Sequence, residues 1–179
     1  MIEIPTLATA RFTLRPLQEG DEHTFFRAYS DPELMRYWSR GPFDDVEALR
    51  AWLFDREWGG RTWVAVPHEG GDPVLRMVAS AEGEQVCEIG YMIVPGHERR
   101  GIATECLSAL LTQLFRVEGV HRVFADIDPR NTASNRLVQR LGFTLEGHFR
   151  DAMKTHIGWC DSWIWAILED EWRGNERGT

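Results

Sequence analysis

The longest helical pattern in the chain, Ile102 to Glu118, is reached by one short turn from an apolar strand candidate, Glu88 to Val94. Its residues Ala103, Leu107, Leu110, Leu111, Leu114 and Val117 recur on one side, and Gly119 supplies the C-cap. A second buried strand candidate, Val123 to Ile127, follows. The next helix opens on Asn131 as N-cap, buries Leu137, Val138 and Leu141, and stops at Gly142. Strands at Phe143 to Arg150 and Trp159 to Leu168 close the chain. Upstream, Thr62 to Val66 and Val74 to Ala81 flank the loop His68 to Pro73 and read as an antiparallel pair, with Glu88 to Val94 as third strand of a meander. Before residue 62 the pattern is a strand at Arg11 to Arg15 ended by Pro16, then three helical stretches. These are Asp21 to Tyr29, a short piece opened by Asp31-Pro32, and Asp45 to Trp58, where Val46, Leu49, Trp52 and Leu53 have helical spacing and Gly59-Gly60 stops the run. This order predicts an α/β fold built on a mixed sheet with antiparallel and parallel parts.

Composition narrows the function classes. The 179 residues suit a single domain over residues 1–179, its core about 10–172, and 43% hydrophobic with 27% charged residues is ordinary for a globular protein. No stretch is long and apolar enough to span a membrane, and Met1-Ile2-Glu3-Ile4-Pro5 lacks the features of a signal peptide, so the expectation is a cytoplasmic protein without a membrane partner. A net charge of −8 argues against nucleic acid as a partner and suits a cationic substrate. Cys87, Cys106 and Cys160 form no CxxC pair and read as buried thiols, and the six histidines show no HxxxH or HExxH pattern, so no metal is expected.

The segment Glu88 to Glu105 carries the chemistry, as a strand, a turn and the start of a helix. A helix N-terminus offers unpaired N–H groups and a positive dipole end that can hold a pyrophosphate. Gly101 and Ala103 allow close backbone approach, and Arg99 with Arg100 add charge. The Walker lysine is missing and no GxGxxG follows a strand, which disfavours ATP and NAD. The competing reading is a solvated turn that merely opens a core helix.

Glu98-Arg99-Arg100-Gly101-Ile102-Ala103 resembles the Q/R-x-x-G-x-G/A cofactor loop of the GNAT superfamily, with Glu98 where Gln or Arg is usual. Within it the chain looks most like the RimJ/RimL group of ribosomal-protein N-terminal acetyltransferases. The resemblance rests on Arg11 to Leu17, Glu88 to Tyr91, Gly101 to Glu105, Asn131 to Leu137, Leu141 to Phe143 and Ile167 to Trp172. It implies the acyl-CoA N-acyltransferase fold, a central splayed mixed sheet flanked by helices, with acetyl-CoA as co-substrate. It also implies that the strand splays at a bulge, where free backbone groups of Met92, Ile93 and Val94 receive the acetyl and pantetheine amides. Arg99, Arg100, Gly101, Ile102, Ala103 and Thr104 would hold the pyrophosphate, Asn131 the pantetheine arm, and Ser134 would lie near the sulfur.

Acetyl transfer needs a neutral amine. A lysine amine has a pKa of about 10.4 and an α-amine about 7.7 to 8.0, so a base matters more for the former. Glu88 is the candidate base, sharing a strand face with Gly90 and Met92, against the reading of an exposed strand carboxylate. Ser134 is the candidate proton donor to the thiolate, against the reading of a first-turn helix residue. Asp126, Asp128, Glu146 and Asp161 are further carboxylates for the cleft, and Tyr91, on the opposite strand face, reads as core. Trp38, Trp52 and Trp58 fall in the region that covers the acceptor cleft in this family, and Trp159, Trp163 and Trp165 share one face of the last strand. The expected activity is acetyl transfer to a primary amine in a ternary complex, foremost a protein N-terminal α-amine. The alternatives are a small cationic amine such as an antibiotic or polyamine, transfer of a longer acyl group, and a non-catalytic acyl-CoA sensor. A monomer and a homodimer are both compatible with the sequence.

Overall fold

The structure, a computed structural model, describes residues 4–172, so Met1-Ile2-Glu3 of the N-terminal reading lies outside the described residues. Eight strands form one sheet: β1 (Leu7–Ala8), β2 (Phe12–Pro16), β3 (Arg61–Pro67), β4 (Leu75–Gly83), β5 (Val86–Ile93), β6 (Arg122–Ile127), β7 (Thr144–Thr155) and β8 (Gly158–Leu168). The helices are α1 (Asp21–Tyr29), α2 (Val46–Leu53), α3 (Ile102–Thr112) and α4 (Thr132–Arg140). The strand order is β1-β2-β3-β4-β5-β6-β8-β7, and every neighbouring pair is antiparallel except β5 with β6. The expected mixed sheet is therefore present, with β1 as a short strand that the sequence pattern missed.

Alternation along the strands sends side chains into two cores. One face packs Leu14, Trp63, Leu75, Met77 and Ile89 against Leu107, Leu110, Leu111 and Leu114 of the α3 region and Val138 of α4. The other packs Val64, Met92 and Val94 against Phe25, Tyr29, Leu49 and Leu53 of α1 and α2. The result is a sheet sandwiched between two helix layers. The three cysteines are buried thiols, as their spacing suggested.

Three helical expectations change. The helix from Ile102 is α-helical only to Thr112 and continues as a π-helical segment, Gln113–Val117. The wider π turn brings Phe115 inward and leaves Val117 71% exposed, so Val117 does not share the apolar side. Gly119, at φ 69°, ends the run as expected. At Asp31-Pro32 the carboxylate caps the N–H groups of Glu33 and Leu34, yet the chain makes a turn rather than a helix. α2 stops at Leu53 instead of Trp58, because Asp55 Oδ1 captures the Glu57 N–H at 2.9 Å and offers the backbone a turn in place of another helical bond. No helix among the described residues is long and apolar enough to cross a membrane.

Candidate active site

The site begins where β5 and β6 part. Their parallel pairing covers only Val86↔Arg122, Cys87↔Val123 and Glu88↔Phe124, whereas β6 stays paired with β8 as far as Ile127↔Trp163. From Ile89 onward β5 therefore has a neighbour on one edge only. A splayed strand was expected, but not its cause: β4 and β5 keep a regular register from Leu75↔Ile93 to Ala81↔Cys87, and the shift lies at the far end, between Ala81 and Gly83. Divergence of the strands, not a bulge at Met92 to Val94, opens the gap.

Parity decides which backbone groups face that gap. The Val94 N–H donates to Val74 O at 2.9 Å, and antiparallel alternation directs Met92 toward β4 as well. On the other edge, Gln85 O accepts from the N–H groups of His121 and Arg122, so odd-numbered residues face β6. The free backbone groups thus belong to Tyr91 and Ile93. Of the three residues expected to present free backbone groups, Ile93 lies on the open edge, whereas Met92 and Val94 turn theirs to β4 and their side chains pack in the α1/α2 core.

The loop after β5 ends on Gly101, at φ 73°, a left-handed conformation that costs glycine little. No side chain caps α3, and the first helical bond runs from the Glu105 N–H to Gly101 O, so the earlier N–H groups of the first turn remain open. Arg99 and Arg100 are exposed, Ile102 is buried, and Ala103 and Thr104 are half-buried. Glu98 bends back to accept the Gly96 N–H at 2.9 Å, which ties its charge to its own turn. A clamp that sequence reasoning missed secures this loop to β2: Arg11 bonds the Glu105 carboxylate at 2.7 Å and Arg100 O at 3.1 Å.

On the gap side, Asn131 caps α4 by accepting the Ser134 N–H at 3.2 Å. Asn135 fixes that turn, donating to the carbonyls of Asp128 and Asn131 and accepting the Trp165 indole N–H at 2.7 Å. Ser134 Oγ then lies 2.5 Å from the Tyr91 hydroxyl. The Tyr91 ring does pack against the core as read from the sequence, but its hydroxyl reaches the site. Burial pushes the phenol up to about 12, partly offset by the Ser134 bond, so it stays protonated at neutral pH.

A cavity of about 490 Å³ occupies the gap and continues beneath the α2 region. Glu88, Gly90, Tyr91, Asn131 and Ser134 line it together, whereas the Arg99 to Thr104 loop lies outside it. Gly90 forms part of the floor, and a Cβ there would stand 3.1 Å from Val78 Cγ2. Burial raises the Glu88 carboxyl above its usual range, assisted by the charges of Asp126 and Glu82. Asp126, Asp128 and Asp161 also line the cavity; Glu146 does not, because it pairs with Arg122 at 2.6 Å. Asp126 accepts from Ser162, and Asp128 is held below the usual carboxylate range because its bonds to Arg130 outweigh burial. Trp38, Trp52 and Trp58 line the cavity, while Trp159, Trp163 and Trp165 do not.

Residues 11–144 match the acetyltransferase (GNAT) domain family. The chain is 27% identical to the uncharacterised N-acetyltransferase YnaD of Bacillus subtilis, over 93% of this chain and 98% of that one. It is 31% identical to the ribosomal protein uS5-alanine N-acetyltransferase of Escherichia coli, over 48% of this chain and 44% of that one. The crystal structure of a GNAT-family acetyltransferase from Bacillus anthracis superposes with a TM-score of 0.85 at 25% identity, covering 93% of this chain and all of the other. The matched residues include the open first turn of α3, the left-handed Gly101 and the splayed β5, and the chain belongs to the GNAT family of N-acetyltransferases, enzymes whose acyl donor is acetyl-CoA.

Proposed function

We propose that the protein transfers the acetyl group of acetyl-CoA to a primary amine in a ternary complex, foremost the α-amine of a protein N-terminus. The observation that carries this reading is the single cavity in which Glu88, Tyr91 and Ser134 meet at the β5/β6 gap. Acetyl-CoA supplies an activated thioester. Arg99, Arg100 and the first-turn N–H groups of Ile102, Ala103 and Thr104 would hold its pyrophosphate, and Asn131 its pantetheine arm. A backbone N–H of Tyr91 or Ile93 would stabilise the charge that develops on the acetyl oxygen. Glu88 takes the proton of the attacking amine, directly or through water, and its raised carboxyl is a better base than an exposed one. Ser134 donates a proton to the departing sulfur, with the Tyr91 phenol behind it as a second donor.

An α-amine fits this apparatus because its pKa of about 7.7 to 8.0 leaves part of it neutral at pH 7 without a strong base. The similarity to the uS5-alanine enzyme, over about half of this chain, supports the same acceptor class. The acidic wall of Asp55, Asp126 and Asp161 favours a second reading, a small cationic amine. Transfer of label from acetyl-CoA is measured to N-terminal peptides of ribosomal proteins and, in parallel, to a panel of small cationic amines, each against Ser134→Ala. Labelled peptide α-amines are the expected result. Label confined to the small amines would move the assignment to the second reading. No label in either set, despite acetyl-CoA binding, would leave a sensor.

A further inference from the structure

Arg76, on β4, lies in the same cavity wall and has no part in the transfer described above. It is 4% exposed, and no carboxylate among the described residues pairs with it. Its guanidinium has five N–H donors, of which two are engaged: one by the Tyr29 hydroxyl at 3.0 Å and one by Thr62 Oγ1 at 3.4 Å. Nε has neither a partner nor access to water. The ring of Trp52, 4.9 Å from the guanidinium carbon, and that of Tyr29, at 5.9 Å, offer partial cation–π compensation. A buried cation is normally matched by an anion, because removal from water costs more than neutral hydrogen bonds return.

The strand register places this charge opposite the base. Arg76, Val78 and Ser80 of β4 face Met92, Gly90 and Glu88 of β5, in that order. Arg76 and Glu88 therefore stand on the same sheet face at the two ends of a stretch of roughly 13 Å between Cα positions, which two long side chains shorten. Between them is the Gly90 floor. The other cavity carboxylates have partners of their own: Asp126 has Ser162, Asp128 has Arg130, and Asp161 has His148 at 2.7 Å and the Asp151 N–H at 3.0 Å. Asp55 accepts the Glu57 N–H. Among the described residues Arg76 is the one cation that lines the cavity, and Glu88, like Asp55 and Asp126, has no cation partner there. The cavity is thus positive at its β4 end, beneath Trp52, and negative at its β5/β6 end.

We infer that the acceptor carries a carboxylate as well as its amine, and that Arg76, held by Tyr29 and Thr62, binds this carboxylate while the amine is turned toward Glu88. The inference rests on the acetyltransferase reading and narrows its acceptor. The carboxylate has two possible sources: the α-carboxylate of a free amino acid, or an acidic side chain near the N-terminus of a peptide.

The test uses the full chain, acetyl-CoA and pairs of acceptors that differ in one carboxylate. Free amino acids are compared with their carboxamides, and short peptides beginning with Asp or Glu with those beginning with Asn or Gln. The expected result is a kcat/KM at least about tenfold higher for the carboxylate member of a pair, as a charge-assisted contact would give. Arg76→Met should erase that preference and Arg76→Lys retain part of it. A preference confined to the amino acids, or to the peptides, identifies the source. Acetylation of both members of every pair at equal rate by the wild-type protein overturns the inference and leaves the acetyltransferase reading standing, without reliance on any variant's folding. Acetylation of no acceptor removes both.

Discussion

The hydroxyl oxygens of Tyr91 and Ser134 lie 2.5 Å apart, and the bond joins the free edge of β5 to the first turn of α4. It sits where the two strands that flank the gap have ceased to pair, so the side chains, not the sheet, hold this part of the site together. Since burial keeps the phenol protonated up to about 12, the pair is suited to the proton-donor role proposed for it rather than to that of a base.

From that arrangement Tyr91→Phe should lower kcat by about 10- to 100-fold while leaving the KM for acetyl-CoA within about twofold, because the ring still packs and only the proton donor is lost. Ser134→Ala should resemble it, and the double variant should be no worse than the poorer single one if the two act as a unit. Steady-state kinetics on the three variants checks this. Fully additive losses would show two independent roles.

Glu88 must be ionised to accept a proton, and its carboxyl is raised by burial first and by Asp126 and Glu82 next. Activity should therefore fall as pH drops through a value above that of an ordinary glutamate. Glu88→Gln should lower kcat/KM by about 100-fold or more and abolish this acid limb. A pH profile of kcat/KM for both proteins decides it: an unchanged acid limb in the variant would assign the limb to another group.

Gly101 holds φ at 73°, and the nearest atom to an added Cβ is Arg11 Nη2 at 3.7 Å, so strain rather than crowding opposes substitution. Gly101→Ala should cost about 1 kcal/mol of stability, read by urea denaturation, and should raise the dissociation constant for CoA severalfold as the first-turn amides are re-aimed. Arg99→Ala should weaken CoA binding with little change in stability, and the loss should shrink at high salt.

Burial opposes ionisation of Glu105, but bonds from the Thr9 hydroxyl and from the side chain and N–H of Arg11 outweigh it and hold the carboxyl below its usual value. The folded value is depressed, so the stabilisation is present above the unfolded-state value near 4.5 and is lost as pH falls through the folded one. Glu105→Gln should be less stable than wild type by about 1 kcal/mol at pH 7, a modest figure because Arg11 is half exposed. The difference should close toward strongly acidic pH. Denaturation curves for both proteins across that range measure it.

The order of elements was legible because hydrophobic period is a local property. The switch to strand spacing around residues 62 and 123 and to helical spacing at 102 places β3, β6 and α3, and Asp45 and Asn131 announce the starts of α2 and α4. The local geometry of the α3 loop was equally legible, since the need for glycine at a left-handed position and for an uncapped helix start is written in a few adjacent residues. The early end of α2 at Asp55 and the π segment after Thr112 were not, for each depends on a competition between backbone partners that a periodicity count does not register.

By itself, then, the sequence determined the mixed sheet, its helices, the α3 loop and the family. Only the tertiary structure decided the working geometry. Which backbone groups of β5 are free depends on the edge that β4 occupies, a question of strand parity across distant segments, and of the expected Met92, Ile93 and Val94 this leaves only Ile93, with Tyr91, on the open edge. The meeting of Tyr91 with Ser134 spans 43 residues of chain. The solitary charge of Arg76 becomes visible only when β4, α1 and α2 close around it, because burial and the absence of a counter-ion are properties of packed surroundings and leave no mark on neighbouring residues in the chain.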